Sequence, residues 1–338
     1  MATHACIVAI LLLSVAAAQP RAPLPQDTLP AGLPPARPPE GLPETYGDPK
    51  ENPFTPARYT LGRKLFFDPI LSADKTVACS SCHDPMHGFA SVERFPLGVG
   101  GRRARRNAPT VQNRAFSTLQ FWDGRALTLE DQVLRPIEDA DEMGSTVDAA
   151  LGRLRADVGY HKLFADAGLE PTRQELAFAL ALFVRRLTLG DSPVDRFRKG
   201  DVTALGNDER TGLWIYESKG RCWRCHSGPN FTDEGFHNTG VGVNAGTPEP
   251  GREAVTKEPQ DRGCFKTPTL RGVAATGPYF HDGSADTLEA VIEFYRRQGQ
   301  DNPQRDPIMR EIQLDAEDVP RLVAFLRALS RPGAASVR

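Results

Sequence analysis

Two copies of Cys-x-x-Cys-His constrain this chain more than any other feature: Cys79-Ser80-Ser81-Cys82-His83 and Cys222-Trp223-Arg224-Cys225-His226. Thiols at i and i+3 share one face of a helical turn. There they can form thioethers to both vinyl groups of one porphyrin, and the following His reaches the iron as an axial ligand. A single copy could be chance or half of a zinc site. Two complete copies, with no second Cys-x-x-Cys close enough to either to complete four zinc ligands, point to two covalent c-type haems. Cys79, Cys82, Cys222 and Cys225 are then the attachment points, and His83 and His226 the axial ligands.

The N-terminus agrees with that chemistry, because c-type attachment takes place outside the cytoplasm. Residues 7–18 form a twelve-residue apolar core ending in Ala16-Ala17-Ala18. It is too short for a membrane span and fits a signal peptide over 1–18, although no Lys or Arg precedes it. A buried N-terminal helix is the alternative. Cys6 precedes the apolar core, which argues against a lipoprotein anchor. The expected address is the periplasm. With Cys6 removed and four cysteines on haem, only Cys264 remains, and it reads as a small buried hydrophobe.

The 338 residues leave room for two domains, one around each haem, and a net charge of -2 gives no global field for nucleic acid or membranes. Prolines recur through 19–53 without hydrophobic period, so this leader reads as disordered or polyproline-like. Helical patterning follows at 55–67, about 127–135, 145–157, from Pro171 to Leu189, 208–219, 286–297 and 315–329, while 228–283 reads as loops. Each haem motif is followed by a proline and a phenylalanine, a weak internal repeat (Pro85 and Phe89; Pro229 and Phe231). The expected fold is mostly α: two cytochrome c-like domains over 54–168 and 169–331, with a boundary near 165–172.

Five further segments carry a resemblance. Leu65-Phe66-Phe67-Asp68-Pro69, Arg106-Asn107-Ala108-Pro109-Thr110, Phe121-Trp122-Asp123-Gly124-Arg125-Ala126, the run Phe265 to Arg271, and Pro278-Tyr279-Phe280-His281-Asp282-Gly283 resemble bacterial di-haem cytochrome c peroxidases and the related enzyme MauG, over roughly 52–330. The resemblance implies that the first haem is the peroxide site and the second handles electrons. It implies Glu142 as general acid/base and Gln132 as its polar orienter. It makes Trp122 the bridge between haems, and Asn107, Thr276 and Pro278 the ligands of a calcium ion. Two positions depart from the Met-ligated peroxidases. Val99 stands where a distal His often lies, which implies an open first iron. Tyr295 stands where Met would ligate the second, as in MauG. Of the remaining candidates, His87 lies on the wrong side of His83's helical stretch, Met86 and Met143 lie in the first domain, and Met309 lies in a polar stretch past the expected position.

The resemblance therefore implies an exported di-haem peroxidase that reduces hydrogen peroxide through a high-valent state shared by two haems. Electrons would come from a small redox protein, a cytochrome c or cupredoxin, or from aromatic side chains of an oxidisable protein substrate. A non-catalytic di-haem electron carrier is the rival reading, and a peroxide sensor a third. The Arg102–Arg106 run reads as a solvated loop, a partner of haem propionates or a patch for an acidic protein. Trp223 is a candidate for passing holes to the surface.

Overall fold

The computed structural model describes residues 23–330, so the expected signal segment lies outside the described residues. The chain is mostly helical. Its strands are two-residue antiparallel pairs, Phe236–His237 with Phe265–Lys266 and Val243–Asn244 with Thr247–Pro248.

Helices start where a side chain satisfies a donor that the first turn leaves unpartnered. Thr55 caps Pro56–Phe67, Thr172 caps Arg173–Arg185 and Thr287 caps Leu288–Arg296. The helix expected over 127–135 is two short ones, Leu129–Gln132 and Arg135–Glu138, with Pro136 in the first turn of the second. Val158–Asp166, capped by Asp157, is a helix that the hydrophobic period did not reveal.

Two helix pairs carry two cores. In the first, Leu61, Leu65 and Phe66 of Pro56–Phe67 meet Leu176, Leu180 and Phe183 of Arg173–Arg185. In the second, Asn207–Glu217 lies against Asp318–Arg327, burying Ile215, Leu322 and Phe325. Both crossings need a glycine. A Cβ on Gly62 would strike the Ala179 carbonyl, and one on Gly212 the Arg321 carbonyl. The first core reaches further along the chain than the expected boundary near 165–172. Arg173–Arg185 and Leu187 belong to the first core and the second begins at Val194, so the lobes divide within 188–193.

From residue 27 onward the proline-rich leader runs as a strap across both lobes. On the first lobe, Arg63 holds the Asp27 carboxylate and the carbonyls of Leu29 and Pro30. Tyr46 is buried beneath the Arg186 guanidinium, which also pairs with Asp48. On the second lobe, the Gly41 carbonyl accepts from Arg271 at 2.7 Å and Glu40 pairs with Lys199. Extended proline-rich backbone has no internal hydrogen bonds. Here it is held by Tyr46, whose hydroxyl donates to the Pro35 and Arg37 carbonyls, and by arginines far away in sequence.

Candidate functional site

Each Cys-x-x-Cys-His motif closes as one helical turn. The His83 N–H bonds the Cys79 carbonyl at 3.0 Å, and the His226 N–H bonds the Cys222 carbonyl at 2.9 Å. The chain then doubles back. Phe89 and Phe231, both in the left-handed region (φ 58° and 51°), hold their carbonyls 3.2 Å from Nδ1 of His83 and His226. A carbonyl only accepts, so each ring is protonated at Nδ1 and leaves Nε2 bare. Burial pushes both imidazoles down to about 4, which keeps them neutral. An anchored neutral imidazole is the form that ligates iron.

Two cavities adjoin these turns. The first, about 520 Å³, is lined by Cys82, His83, Gln132 and Glu142. Cys79 lies one turn behind Cys82, at the margin of the first core. The second, about 210 Å³, is lined by Cys222, Cys225, His226 and Tyr295. The first motif thus presents the Cys82 thiol and the His83 imidazole to its cavity, and the second presents both thiols and the His226 imidazole, donors that suit a haem. Asn107, Trp122 and Lys266 line both cavities.

The first cavity is the polar one. Burial, reinforced by Asp139 and Asp141 and opposed by Arg125 and Arg105, pushes the Glu142 carboxyl up to about 7. The Glu142 carbonyl accepts from the Val99 N–H at 2.8 Å, which ties the Val99 backbone to the segment that carries the acid. Arg125 lies 3.5 Å over the Phe121 ring and bonds Asp123 at 3.0 Å. His87 is paired with Asp84 at 3.0 Å and does not line the cavity. Within the arginine run, Arg106 turns inward to Asp123 and Glu249, while Arg103 and Arg105 pair with Glu93 and Asp141.

The second cavity is mostly apolar. Tyr295 stands in it among Phe280 and Phe294, and burial pushes its phenol well above the usual range. Met309, read from sequence as lying in a polar stretch, is buried and lines the same cavity. Thr276, Pro278 and Asn107 lie along its wall. The Asn107 amide nitrogen bonds the carbonyls of Glu93 and Arg94, so its oxygen is the atom it can offer a cation.

Trp122 is fixed from both lobes. Its Nε1 donates to the Asn107 carbonyl at 2.9 Å, and its own carbonyl accepts from the Lys266 N–H at 2.8 Å. It stands edge-on to His281, with ring centroids 6.4 Å apart. The pair belongs to an internal repeat that the sequence reading missed. Phe121-Trp122-Asp123-Gly124 and Phe280-His281-Asp282-Gly283 share left-handed phenylalanines (φ 69° and 72°), a following left-handed Gly, an isolated bridge (Gln120 to Ala126, Tyr279 to Ala285) and a capping Thr (Thr128, Thr287). One offset also aligns Pro109-Thr110 with Pro268-Thr269 and Asn107 with Lys266. The signal Phe-x-Asp-Gly-x-Ala-x-Thr-Leu-Glu was readable in both halves.

Known proteins bear on this arrangement as follows. Residues 56–203 match the di-haem cytochrome c peroxidase family model. The chain is 39% identical to the methylamine utilization protein MauG of Methylorubrum extorquens, over 87% of this chain and 84% of that protein. It is 34% identical to the cytochrome c551 peroxidase of Pseudomonas aeruginosa, over 86% and 83%. The crystal structure of a MauG-like protein associated with microbial copper homeostasis superposes with a TM-score of 0.79 at 31% identity, covering 92% of this chain and 97% of that one. The chain belongs to the di-haem cytochrome c peroxidase family. It is a di-haem peroxidase, similar to both MauG and the cytochrome c551 peroxidases.

Proposed function

We propose that peroxide is cleaved in the first cavity and that the oxidising power is shared with the second through Trp122. The observation that carries this is the placement of Trp122 in the wall of both cavities, with His83, Gln132 and Glu142 on one side and His226 and Tyr295 on the other. Haem iron bound at His83 would supply the site where the O–O bond breaks, and iron at His226 with an anionic phenolate would hold an oxidising equivalent. Glu142, titrating near neutrality, takes the proton from the near peroxide oxygen and returns it to the far one, which departs as water. Gln132 orients the peroxide. Trp122, held at both its Nε1 and its carbonyl, keeps one ring geometry for relaying a hole.

Asn107, Thr276 and Pro278 offer hard oxygens along one wall and are the proposed calcium ligands. Electrons arrive from a small redox protein or from aromatic side chains of a protein substrate. No helix among the described residues is long and apolar enough to cross a membrane, and the proposed address is the periplasm. The test is one equivalent of hydrogen peroxide added to the diferric protein, followed by optical and EPR spectra. Joint loss of a high-spin and a low-spin ferric signal, with a near-infrared charge-resonance band, is expected. Two low-spin haems that ignore peroxide would leave a non-catalytic electron carrier.

A further inference from the structure

A buried cluster of charge separates the two cavities and has no part in the peroxide chemistry above. Lys266 is 4% exposed and lines both cavities. Its ammonium lies 2.6 Å from Glu234. Glu234 already accepts from the Ser117 hydroxyl at 2.9 Å and the Thr118 N–H at 3.1 Å. Arg114, in the wall of the first cavity, is close enough for its charge to act on both Lys266 and Glu234. Its guanidinium bonds only neutral groups, Gln120 Oε1 and the Leu119 carbonyl, both at 2.9 Å. Asp233, the next carboxylate, is engaged by His237 at 2.9 Å.

Lys266 and Arg114 therefore share the Glu234 carboxylate, with Asp233, itself paired to His237, the weaker counter-charge. Burial and then Arg114 pull the Lys266 ammonium down to about 8, which reflects the cost of that surplus charge. An ammonium has three donors, and one carboxylate leaves donors to spare. The surplus is matched once anions enter the cavities, and the anionic groups of a haem are its propionates.

We propose that Lys266 and Arg114 form a carboxylate-binding seam for haem propionates, and that Lys266, standing in both walls, sets the potential of both irons at once. This rests on the haems occupying the two cavities. A fixed cation near iron favours the less positive, reduced state. Lys266 is thus a positioning residue. The first repeat has neutral Asn107 at the place matching Lys266, so the first lobe's share of the charge comes from Arg114 instead.

The experiment is spectroelectrochemical titration of both ferric/ferrous couples in the holoprotein, with two haems per chain verified by pyridine haemochrome. Lys266→Met is expected to lower both midpoint potentials and Lys266→Arg to restore both. Glu234→Gln, which removes the opposing charge, is expected to raise both. Opposite signs from two changes in one packed cluster are a signature of charge that loosened packing does not produce. A shift at one haem only, no shift, or the same sign for K266M and E234Q overturns the proposal. Should K266M fail to retain two haems, E234Q decides alone: a rise at both haems supports the seam and any other result refutes it. Wild-type protein that does not consume peroxide would sink the peroxidase reading and leave these signs untouched.

Discussion

The two cavities share a backbone plan and differ in chemistry. Both present a His whose Nδ1 is held by the carbonyl of a left-handed Phe, and both are followed by the same Phe-x-Asp-Gly corner. The first adds Glu142, Gln132 and Arg125, while the second adds Tyr295 and Met309 within aromatic and aliphatic walls. At the repeated corner, Trp122 in the first copy meets His281 in the second. Duplicated local structure thus repeats the imidazole and its anchor, and a few unduplicated side chains make one cavity polar and the other apolar.

The largest expected effect tests an asymmetry of stability. Arg271 forms a buried bidentate pair with Asp195 at 2.7 and 2.8 Å, where the repeat in the first lobe has Gln112. Arg271→Ala strands Asp195 and is expected to cost about 3–5 kcal/mol by denaturant unfolding. A loss under about 1 kcal/mol would show that the strap and second lobe tolerate the unpaired charge.

Next comes the chemical asymmetry. Glu142→Gln is expected to slow peroxide consumption roughly 100-fold while both haems stay attached. The base must be ionised to accept a proton. Its raised pKa therefore predicts a rate limb that climbs with pH through about 7 and vanishes in the variant. A limb that survives in Glu142→Gln belongs to another group.

Trp122→Phe keeps an aromatic wall but loses the indole and its bond to Asn107. Peroxide reaction at the first haem should persist, while the accompanying change at the second slows roughly tenfold, about 1.4 kcal/mol of barrier. Equal rates for both would make the two cavities one unit without a relay. The smallest effect belongs to the exposed Lys199–Glu40 pair, where Lys199→Ala is expected to cost less than about 1 kcal/mol in the same unfolding assay.

Much of this was legible in the sequence, for physical reasons. The two motifs were legible because thioether chemistry fixes their spacing, and the fold sets each beside a cavity. The helices at 56–67, 173–185 and 288–296 were readable from their Thr caps and apolar period. Resemblance singled out Glu142, Gln132, Trp122 and Tyr295, and the fold brings each to a cavity wall. The place where one core gives way to the other is hard to read because Arg173–Arg185 is apolar on nearly every side, and such a helix does not say which core it joins. The path of the strap was not legible because its partners Arg63, Arg186 and Arg271 lie far away in sequence. Lys266 passed unnoticed because a single lysine in a loop carries no pattern until its burial is seen.

The strap has a consequence for how the lobes part. They are joined covalently through 188–193 and a second time by the leader, which grips Arg63 on one side and Arg271 on the other. The seam around Trp122 is therefore the closure of a ring of chain. A transient gap there reseals at the high effective concentration of tethered partners. A single proteolytic nick between residues 30 and 40 would leave that ring closed, because Gly41 still holds Arg271 and the chain beyond it runs through Tyr46 and Asp48 on Arg186 into the first lobe.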